Sequence, residues 1–194
     1  MKISSKRRLK PDEKGMTLVE VMAAVVILSV ALFGLLASLS YASRLIRAQE
    51  EINIAKNAAR GIIESMRMYD TGYIYAYYNS NPLDDPNGNG TAQGDNFSVR
   101  GLDAQSGDPD GFVGKIEFPE VTLSGGTDVL SETVTAPELG MPRDLNGDGD
   151  AEDVDVSQDY RLLPVTVRVQ WRSFRPEQEI HLQTLIVERY EPSP

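Results

Sequence analysis

A short segment late in the chain is rich in side chains that bind hard cations. Carboxylates and one amide recur over residues 144–155, with glycines between them. The candidate ligands are Asp144, Asn146, Asp148, Asp150, Glu152 and Asp155. Calcium takes roughly six to eight oxygen ligands, and this segment supplies most of them. Because so many neighbouring carboxylates repel one another in the absence of a cation, the composition favours a calcium site.

The spacing of these residues matches that of an EF-hand-type loop. The side-chain ligands would be Asp144, Asn146, Asp148 and Asp155. Glu152 would bind directly or through water, Asp150 would offer its backbone carbonyl, and Gly149 would make the sharp turn. The last ligand is an aspartate where a bidentate glutamate is usual, and the flanking sequence does not predict two helices. A solvated acidic turn is therefore the alternative interpretation.

Composition excludes several other kinds of site. The chain has no cysteine, so disulfides, thiolate metal sites and cysteine nucleophiles are excluded. It has one histidine, His181, which excludes sites built from several histidines, and no motif of a nucleophilic enzyme is present. The formal net charge of −10 disfavours nucleic acid and anionic lipid, because both would repel the protein. No enzyme, organic cofactor or nucleic-acid partner is predicted.

A long apolar segment near the N-terminus predicts a membrane anchor. Residues 21–39 are apolar except for Ser29, Gly34 and Ser38. About 20 such residues, at ~1.5 Å each, span the ~30 Å hydrocarbon core of a bilayer. Residues 1–15 hold six of the 19 basic residues, which predicts a cytoplasmic N-terminus and an exported remainder. The remainder carries 13 basic and 27 acidic residues, a net charge of −14.

Glu20 interrupts the start of this apolar segment. A carboxylate deep in a membrane helix costs roughly 2.5–3.5 kcal/mol, so such a group usually has a partner. A shallow position at the membrane interface is the simpler alternative.

The residues around Glu20 resemble the prepilin peptidase site of type IV pilins and type II secretion pseudopilins. A basic leader ends at Lys14-Gly15, and Met16-Thr17-Leu18-Val19-Glu20 follows. In that family cleavage follows the glycine, the new N-terminus is methylated, and the fifth mature residue is glutamate. The resemblance implies cleavage between Gly15 and Met16, N-methylation of Met16 and an assembly role for Glu20. Methionine at Met16 departs from the common phenylalanine.

The resemblance also implies partners and a location. The Met16 amine would pair with Glu20 of a neighbouring subunit, which neutralises two charges in lipid and sets their axial register. The implied partners are other pilin or pseudopilin subunits, the prepilin peptidase and methyltransferase, an inner-membrane assembly platform and membrane lipid. The implied location is the bacterial inner membrane, with the head in the periplasm, and the pilus or pseudopilus after assembly.

A secretory signal peptide is the rival interpretation of the N-terminus. Ser40-Tyr41-Ala42 offers a small-residue cleavage site before Ser43. The chain would then be a signal-anchored or secreted extracytoplasmic binding protein unrelated to filaments. The length of the apolar block, Glu20 and the lack of a helix breaker oppose this interpretation.

The hydrophobic pattern predicts one helix over Met16–Tyr69, with a stop at Asp70-Thr71-Gly72. The apolar residues at helical spacing are Leu45, Ile46, Ile52, Ala55, Ala59, Ile62, Ile63 and Met66. The predicted divisions are a leader (1–15), a transmembrane half (16–40), an amphipathic half (41–70) and a head (71–194). Major subunits of the family commonly carry a proline within the transmembrane half. None occurs between Met16 and Asn81, so the chain resembles minor subunits of the PilV type or the I-type minor pseudopilin.

The head is predicted to be rich in β-structure, so the fold class is α+β, with the helix packed on a small antiparallel sheet. The predicted strands are Phe97–Arg100, Gly114–Phe118 and Val129–Val134, followed by a hairpin over 160–189. Its arms are Tyr160–Arg172 and Glu179–Arg189, joined by a turn with Ser173 and Pro176. One face of the first arm is apolar, with Val165, Val167, Val169 and Trp171.

Residues 71–110 are predicted to form a long loop, and His181 is expected on a solvated strand face. The loop begins with a cluster of tyrosines: Tyr73, Tyr75, Tyr77 and Tyr78. Such a cluster can form a contact surface, but covering the end of the helix is the favoured interpretation.

Overall fold

One long helix dominates the first part of the protein. The fold is that of a computed structural model, which describes residues 15–174 and 178–188. The helix, α1 (Leu18–Met66), confirms the predicted single helix and begins and ends two to three residues inside the expected bounds. The absence of proline leaves every interior N–H available to the helical hydrogen-bond ladder. The chain divides into two compact units between Leu45 and Ile46.

In the first unit, α1 is an exposed apolar helix. Its large apolar side chains between Leu18 and Leu39 are 42–78% exposed. By length and composition the helix is able to cross a membrane. The hydroxyls of Ser29, Ser40 and Ser43 each donate to the carbonyl four residues earlier, at 2.7, 2.9 and 3.0 Å. These hydroxyls therefore find acceptors within the helix, which lowers the cost of placing them in lipid.

In the second unit, α1 contributes one apolar stripe to the hydrophobic core. The buried members are Ala55, Ala59, Ile63 and Met66. Their spacing of three and four residues puts them on one helix face, as the periodicity predicted. Leu45 and Ile46, at the start of the predicted stripe, are 39% and 61% exposed and stand outside this core.

A second helix, α2 (Thr71–Tyr78), corrects the prediction of a loop from Thr71 onwards. The Asp70 carboxylate accepts a hydrogen bond from Gly72 N–H at 3.3 Å, so Asp70 starts a helix and does not stop one. The residues that α2 buries are Thr71, Ile74, Tyr75 and Tyr78. The Tyr78 hydroxyl lies 3.1 Å from that of Ser65 in the last turn of α1, which favours the covering role of the tyrosines.

The described part of the head contains six strands in two antiparallel sheets. They are β1 (Asn96–Phe97), β2 (Gly114–Glu117), β3 (Glu120–Thr122), β4 (Asp128–Leu130), β5 (Leu162–Trp171) and β6 (Gln178–Val187). The larger sheet has the order β1-β2-β5-β6, and β3 pairs with β4. A 3-10 turn at Pro137–Leu139 lies against β5 and β6. A long helix followed by a small antiparallel sheet confirms the predicted α+β class and is consistent with a pilin-like fold.

The predicted C-terminal hairpin is confirmed. Leu162 pairs with Val187 at one end, and Trp171 pairs with Gln178 at the other. Pro176, in the predicted turn, and Arg189, at the predicted end of the second arm, lie outside the described residues.

The three strands predicted before the hairpin are present but shorter than expected, that at Gly114–Phe118 by only one residue, and β3 was not predicted. The strand expected at Phe97–Arg100 is limited to β1. The strand expected at Val129–Val134 ends at Leu130, and Glu132 N–H then donates to Asp153 in the acidic loop and not to the partner strand. The three residues of β3 are too few to give a recognisable alternation.

The core is centred on β5. The apolar face that the alternation predicted is buried, with Val165, Val167 and Val169 at 0% exposure and Trp171 at 1%. The Phe97 ring covers Gly114 on β2, where an added Cβ would lie 2.2 Å from the ring. Position 114 therefore accepts only glycine while Phe97 keeps its place.

Candidate processing site and acidic loop

The predicted cleavage point lies in an exposed segment before α1. Gly15, Met16 and Thr17 are exposed and outside the helix, and Met16 is 67% exposed. A Cβ at Gly15 would meet no atom within 4 Å, so local packing does not require glycine there. The peptide bond between Gly15 and Met16 is open to an enzyme. The basic residues of the predicted leader, up to Lys14, lie outside the described residues.

Thr17 and Glu20 form the start of α1. The Glu20 N–H donates to the Thr17 carbonyl at 3.1 Å and to the Thr17 hydroxyl at 3.3 Å. The Thr17-Leu18-Val19-Glu20 sequence has the spacing of a helix capping box, which is a local signal for the start of a helix. Glu20 therefore lies in the first turn, where the positive end of the helix dipole favours a carboxylate.

Glu20 has apolar neighbours along the chain and no described cation beside it. Leu18, Val19 and Met22 are 78%, 74% and 61% exposed. Of the ion pairs formed between described residues, none includes Glu20. The carboxylate is thus free to pair with a positive group on another molecule.

The acidic loop folds through hydrogen bonds from its own backbone. Asp144 accepts from Gly147 N–H at 2.5 Å and from Gly149 N–H at 3.0 Å. Four further side chains each accept a hydrogen bond from the backbone N–H two residues later: Asn146, Asp148, Asp150 and Asp155. Gly147 and Gly149 have positive φ angles of 83° and 108°, which supply the tight turns. The loop is therefore ordered by its oxygen-bearing side chains.

A buried glutamate outside the predicted set holds the loop. Glu132, just after β4, is fully buried. Its carboxylate accepts from Leu145 N–H at 2.6 Å, from Asn146 N–H at 3.3 Å and from Asp153 N–H at 3.4 Å. Sequence spacing could not identify Glu132, because it precedes the loop and meets it only through the fold.

One carboxylate cluster in this region has the geometry to hold a cation. Glu132, Asp150 and Asp153 each offer an oxygen, and these oxygens lie within 4.8 Å of one another. Asp150 was predicted, but through its backbone carbonyl, whereas Glu132 and Asp153 were not predicted. The remaining predicted ligands are outside this cluster: Asp144, Asn146, Asp148, Glu152 and Asp155. A set of carboxylate oxygens suits a hard cation such as calcium.

Two further polar groups lie in the head. The Tyr75 hydroxyl donates to Glu120 at 2.9 Å, and burial, followed by the nearby carboxylates Asp128 and Asp95, raises the pKa of Glu120. His181 lies on an exposed face of β6 beside Glu179, as predicted.

The comparison with known proteins concerns the N-terminal region. A family model described as the prokaryotic N-terminal methylation motif matches residues 10–36, which include Gly15, Met16 and Glu20. No curated protein and no solved structure matches the chain. The motif supports a type IV pilin-like family and a processed subunit with a structural, non-enzymatic role. Together with the apolar helix, it supports anchoring in a membrane.

Proposed function

We propose that this chain is a minor pilin or pseudopilin subunit, cleaved by a prepilin peptidase for a type IV pilus or a type II secretion pseudopilus. The methylation motif at residues 10–36 carries the proposal, because it precedes and enters an exposed apolar helix. The lack of proline between Met16 and Asn81 supports a minor subunit, which assists assembly or contacts the tip or cargo.

The proposed assembly contact joins Met16 and Glu20 of neighbouring subunits. Cleavage after Gly15 frees an amine at Met16, and Glu20 has no described cation of its own. An ion pair between subunits neutralises both charges and sets the register of adjacent helices. The N-terminus faces the cytoplasm, the head lies in the periplasm, and an inner-membrane platform receives the subunit.

Processing is tested by expressing the full chain in bacteria with an active prepilin peptidase and measuring the N-terminus by mass spectrometry. We expect a mature chain that starts at N-methylated Met16. Gly15→Val should keep its leader, whereas Gly34→Val, which lies away from the cleavage point, should be processed. A Cβ at either glycine has open space, so a steric clash would not explain the difference. A chain that starts at Ser43 would support the secretory interpretation, and an uncut wild-type chain would contradict the proposal.

Assembly is tested by counting the subunits that co-sediment with sheared filaments. Glu20→Gln should be processed but lost from the filament fraction. Glu50→Gln, which neutralises an exposed glutamate on the same helix, should be incorporated normally. Equal incorporation of the two variants would remove the pairing role of Glu20.

We also propose that the acidic loop binds calcium. Some pseudopilins hold calcium in a C-terminal loop, and the acidic loop resembles such a site. The carboxylates of Glu132, Asp150 and Asp153 support the proposal by their proximity. The EF-hand-type set from Asp144 to Asp155 is the second possible arrangement of ligands. Both arrangements include Asp150.

Calcium binding is tested by thermal unfolding of the full chain in detergent, with and without millimolar calcium. We expect calcium to raise the melting temperature, because a ligand that binds only the folded state stabilises it. Asp150→Asn should abolish the rise if the cluster of Glu132, Asp150 and Asp153 binds calcium, because that cluster uses the Asp150 carboxylate. It should retain the rise in the EF-hand-type set, which uses the Asp150 backbone carbonyl. Asp159→Asn, at an exposed position outside the loop, should retain the rise. Loss of the rise in Asp153→Asn would favour the observed cluster. Loss of the rise in Asp148→Asn, but not in Asp153→Asn, would favour the EF-hand-type set. No rise in the wild type would contradict calcium binding.

A further inference from the structure

The larger sheet has one long strand at its edge. β6 pairs with β5 along its whole length, from Gln178 to Val187, and stands last in the sheet order. No hydrogen bond joins the other side of β6 to any residue in the described part of the chain. The opposite edge, β1, has two residues and offers almost no ladder. The free backbone N–H and C=O groups of the sheet are therefore concentrated on β6.

The protection that a strand's own residues can give its edge is missing from β6, although the 3-10 turn at Pro137–Leu139 lies against β5 and β6. Proteins commonly protect such edges with proline, lysine, a bulge or a very short strand. β6 contains no proline or lysine, its ten residues pair in regular register without a bulge, and its one charged residue is Glu179. An unprotected edge of this length is a template for another extended chain.

The side chains of β6 indicate what that chain should contain. On the core face, Ile180 and Leu182 are only partly buried, whereas Val167 and Val169 of the adjacent strand are completely buried. An added strand with apolar side chains on this face would cover them. The other face carries Glu179, which contacts His181, and the chain after Gly15 has a net charge of −14, so basic side chains would be favoured there.

We propose that the edge of β6 binds an extended segment of another protein as an added strand, in which apolar and basic residues alternate. A second copy of this chain is a poorer occupant, because it carries the same negative charge. The interaction is separate from filament incorporation and does not require Glu20 or the acidic loop.

The test uses the full chain in detergent micelles and a synthetic peptide that alternates lysine with valine over the length of β6. We expect saturable binding and slower hydrogen exchange at the amides of β6. The same peptide with methylated backbone nitrogens keeps its charge but loses its N–H donors, so its affinity should fall at least tenfold. Equal affinity of the two peptides, or protection confined to other segments, would overturn the proposal.

Charge reversal separates strand addition from general attraction to an acidic protein. Glu179→Lys should weaken binding of the lysine peptide at least threefold and strengthen binding of a glutamate-valine peptide. Glu50→Lys makes the same change in net charge on exposed α1 and should leave both affinities unchanged. Equal effects of the two variants, no binding by the wild type, or dimerisation through β6 without peptide would each contradict the proposal.

Discussion

Glu132 and Asp153 are joined by a reciprocal pair of hydrogen bonds across 21 residues of sequence. The Glu132 N–H donates to the Asp153 carbonyl at 3.1 Å, and the Asp153 N–H donates to the Glu132 carboxylate at 3.4 Å. The same carboxylate accepts from Leu145 N–H at 2.6 Å. One buried side chain thus holds both ends of the acidic loop against the segment that follows β4.

Glu132→Ala should therefore destabilise the head, because it leaves buried N–H groups without an acceptor. The expected loss is about 2–4 kcal/mol in the free energy of unfolding. The measurement is urea unfolding of the full chain in detergent, followed by the fluorescence of Trp171, the single tryptophan. Glu138→Ala, at an exposed position nearby, should change stability by less than about 0.5 kcal/mol. Similar losses in both variants would show that Glu132 does not anchor the loop.

Glu51 and Trp171 supply a second test. One Glu51 oxygen accepts from the Trp171 indole at 3.2 Å and from the Ser173 hydroxyl at 2.5 Å. Glu51→Ala should cost about 1–3 kcal/mol, because it removes the acceptor of a buried indole N–H. It should also change the emission maximum of Trp171 in the folded state. The neighbouring exposed residue provides the control, since Glu50→Ala should leave both quantities unchanged.

The same substitution at two glycines should have opposite effects. Gly114→Ala would place a Cβ 2.2 Å from the buried Phe97 ring, so we expect a loss of about 1–3 kcal/mol from overpacking. Gly61→Ala has open space within α1 and should gain about 0.5–1 kcal/mol, because alanine favours the helix. Adding Phe97→Leu to Gly114→Ala should recover part of the loss. Additive effects in this double variant would contradict the steric explanation.

Glu120 should make the head less stable as the pH rises. Burial, the largest cause, raises its pKa, with smaller contributions from Asp128 and Asp95, while the hydrogen bond from Tyr75 lowers it. The folded state therefore holds the proton more tightly than the unfolded state. This contribution to stability is complete below the unfolded pKa, near pH 4, and is lost as the pH rises through the folded pKa.

Glu120→Gln should remove this pH dependence. Near pH 4 the variant and the wild type should have similar free energies of unfolding, because the wild-type carboxyl is protonated. At pH 7 the variant should gain relative to the wild type. Glu64→Gln, which neutralises an exposed side chain, is the control and should show no such pH-dependent gain. A difference between Glu120→Gln and the wild type that does not change with pH would refute the assignment.

Regular periodicity made part of this fold predictable from the sequence. The helix α1 has apolar residues at helical spacing from Ile52 to Met66, and β5 alternates over Val165, Val167 and Val169. Each pattern extends over enough residues that a chance arrangement of apolar residues would not produce it. By contrast, α2 has eight residues, and the Asp70-Thr71-Gly72 sequence suits the start of a helix as well as its end. The hydrogen bond from Gly72 N–H to Asp70, which caps α2, could not be predicted from residue spacing alone.

The candidate sites divide in the same way. The motif of Gly15, Met16 and Glu20 is local, so it can be recognised from residue spacing in the sequence alone. Glu132 reaches the acidic loop only after β4 and β5 have taken their places, and no local pattern contains that contact. The spacing did not predict Asp153 as a ligand, because the ligands of an EF-hand-type loop lie at other positions. Sites assembled by tertiary contact require the fold before their members can be identified.

The position of β5 in the chain has a consequence for the timing of folding. This strand forms ladders with both β2 and β6, yet it begins only at Leu162. A chain that is still being made, or is cut before that residue, has no central strand on which the larger sheet can form. The helix α1 can form early from local contacts, whereas the sheet must wait for pairing between distant segments. Folding of the larger sheet thus depends on the segment from Leu162 onwards, which is made after β1 and β2.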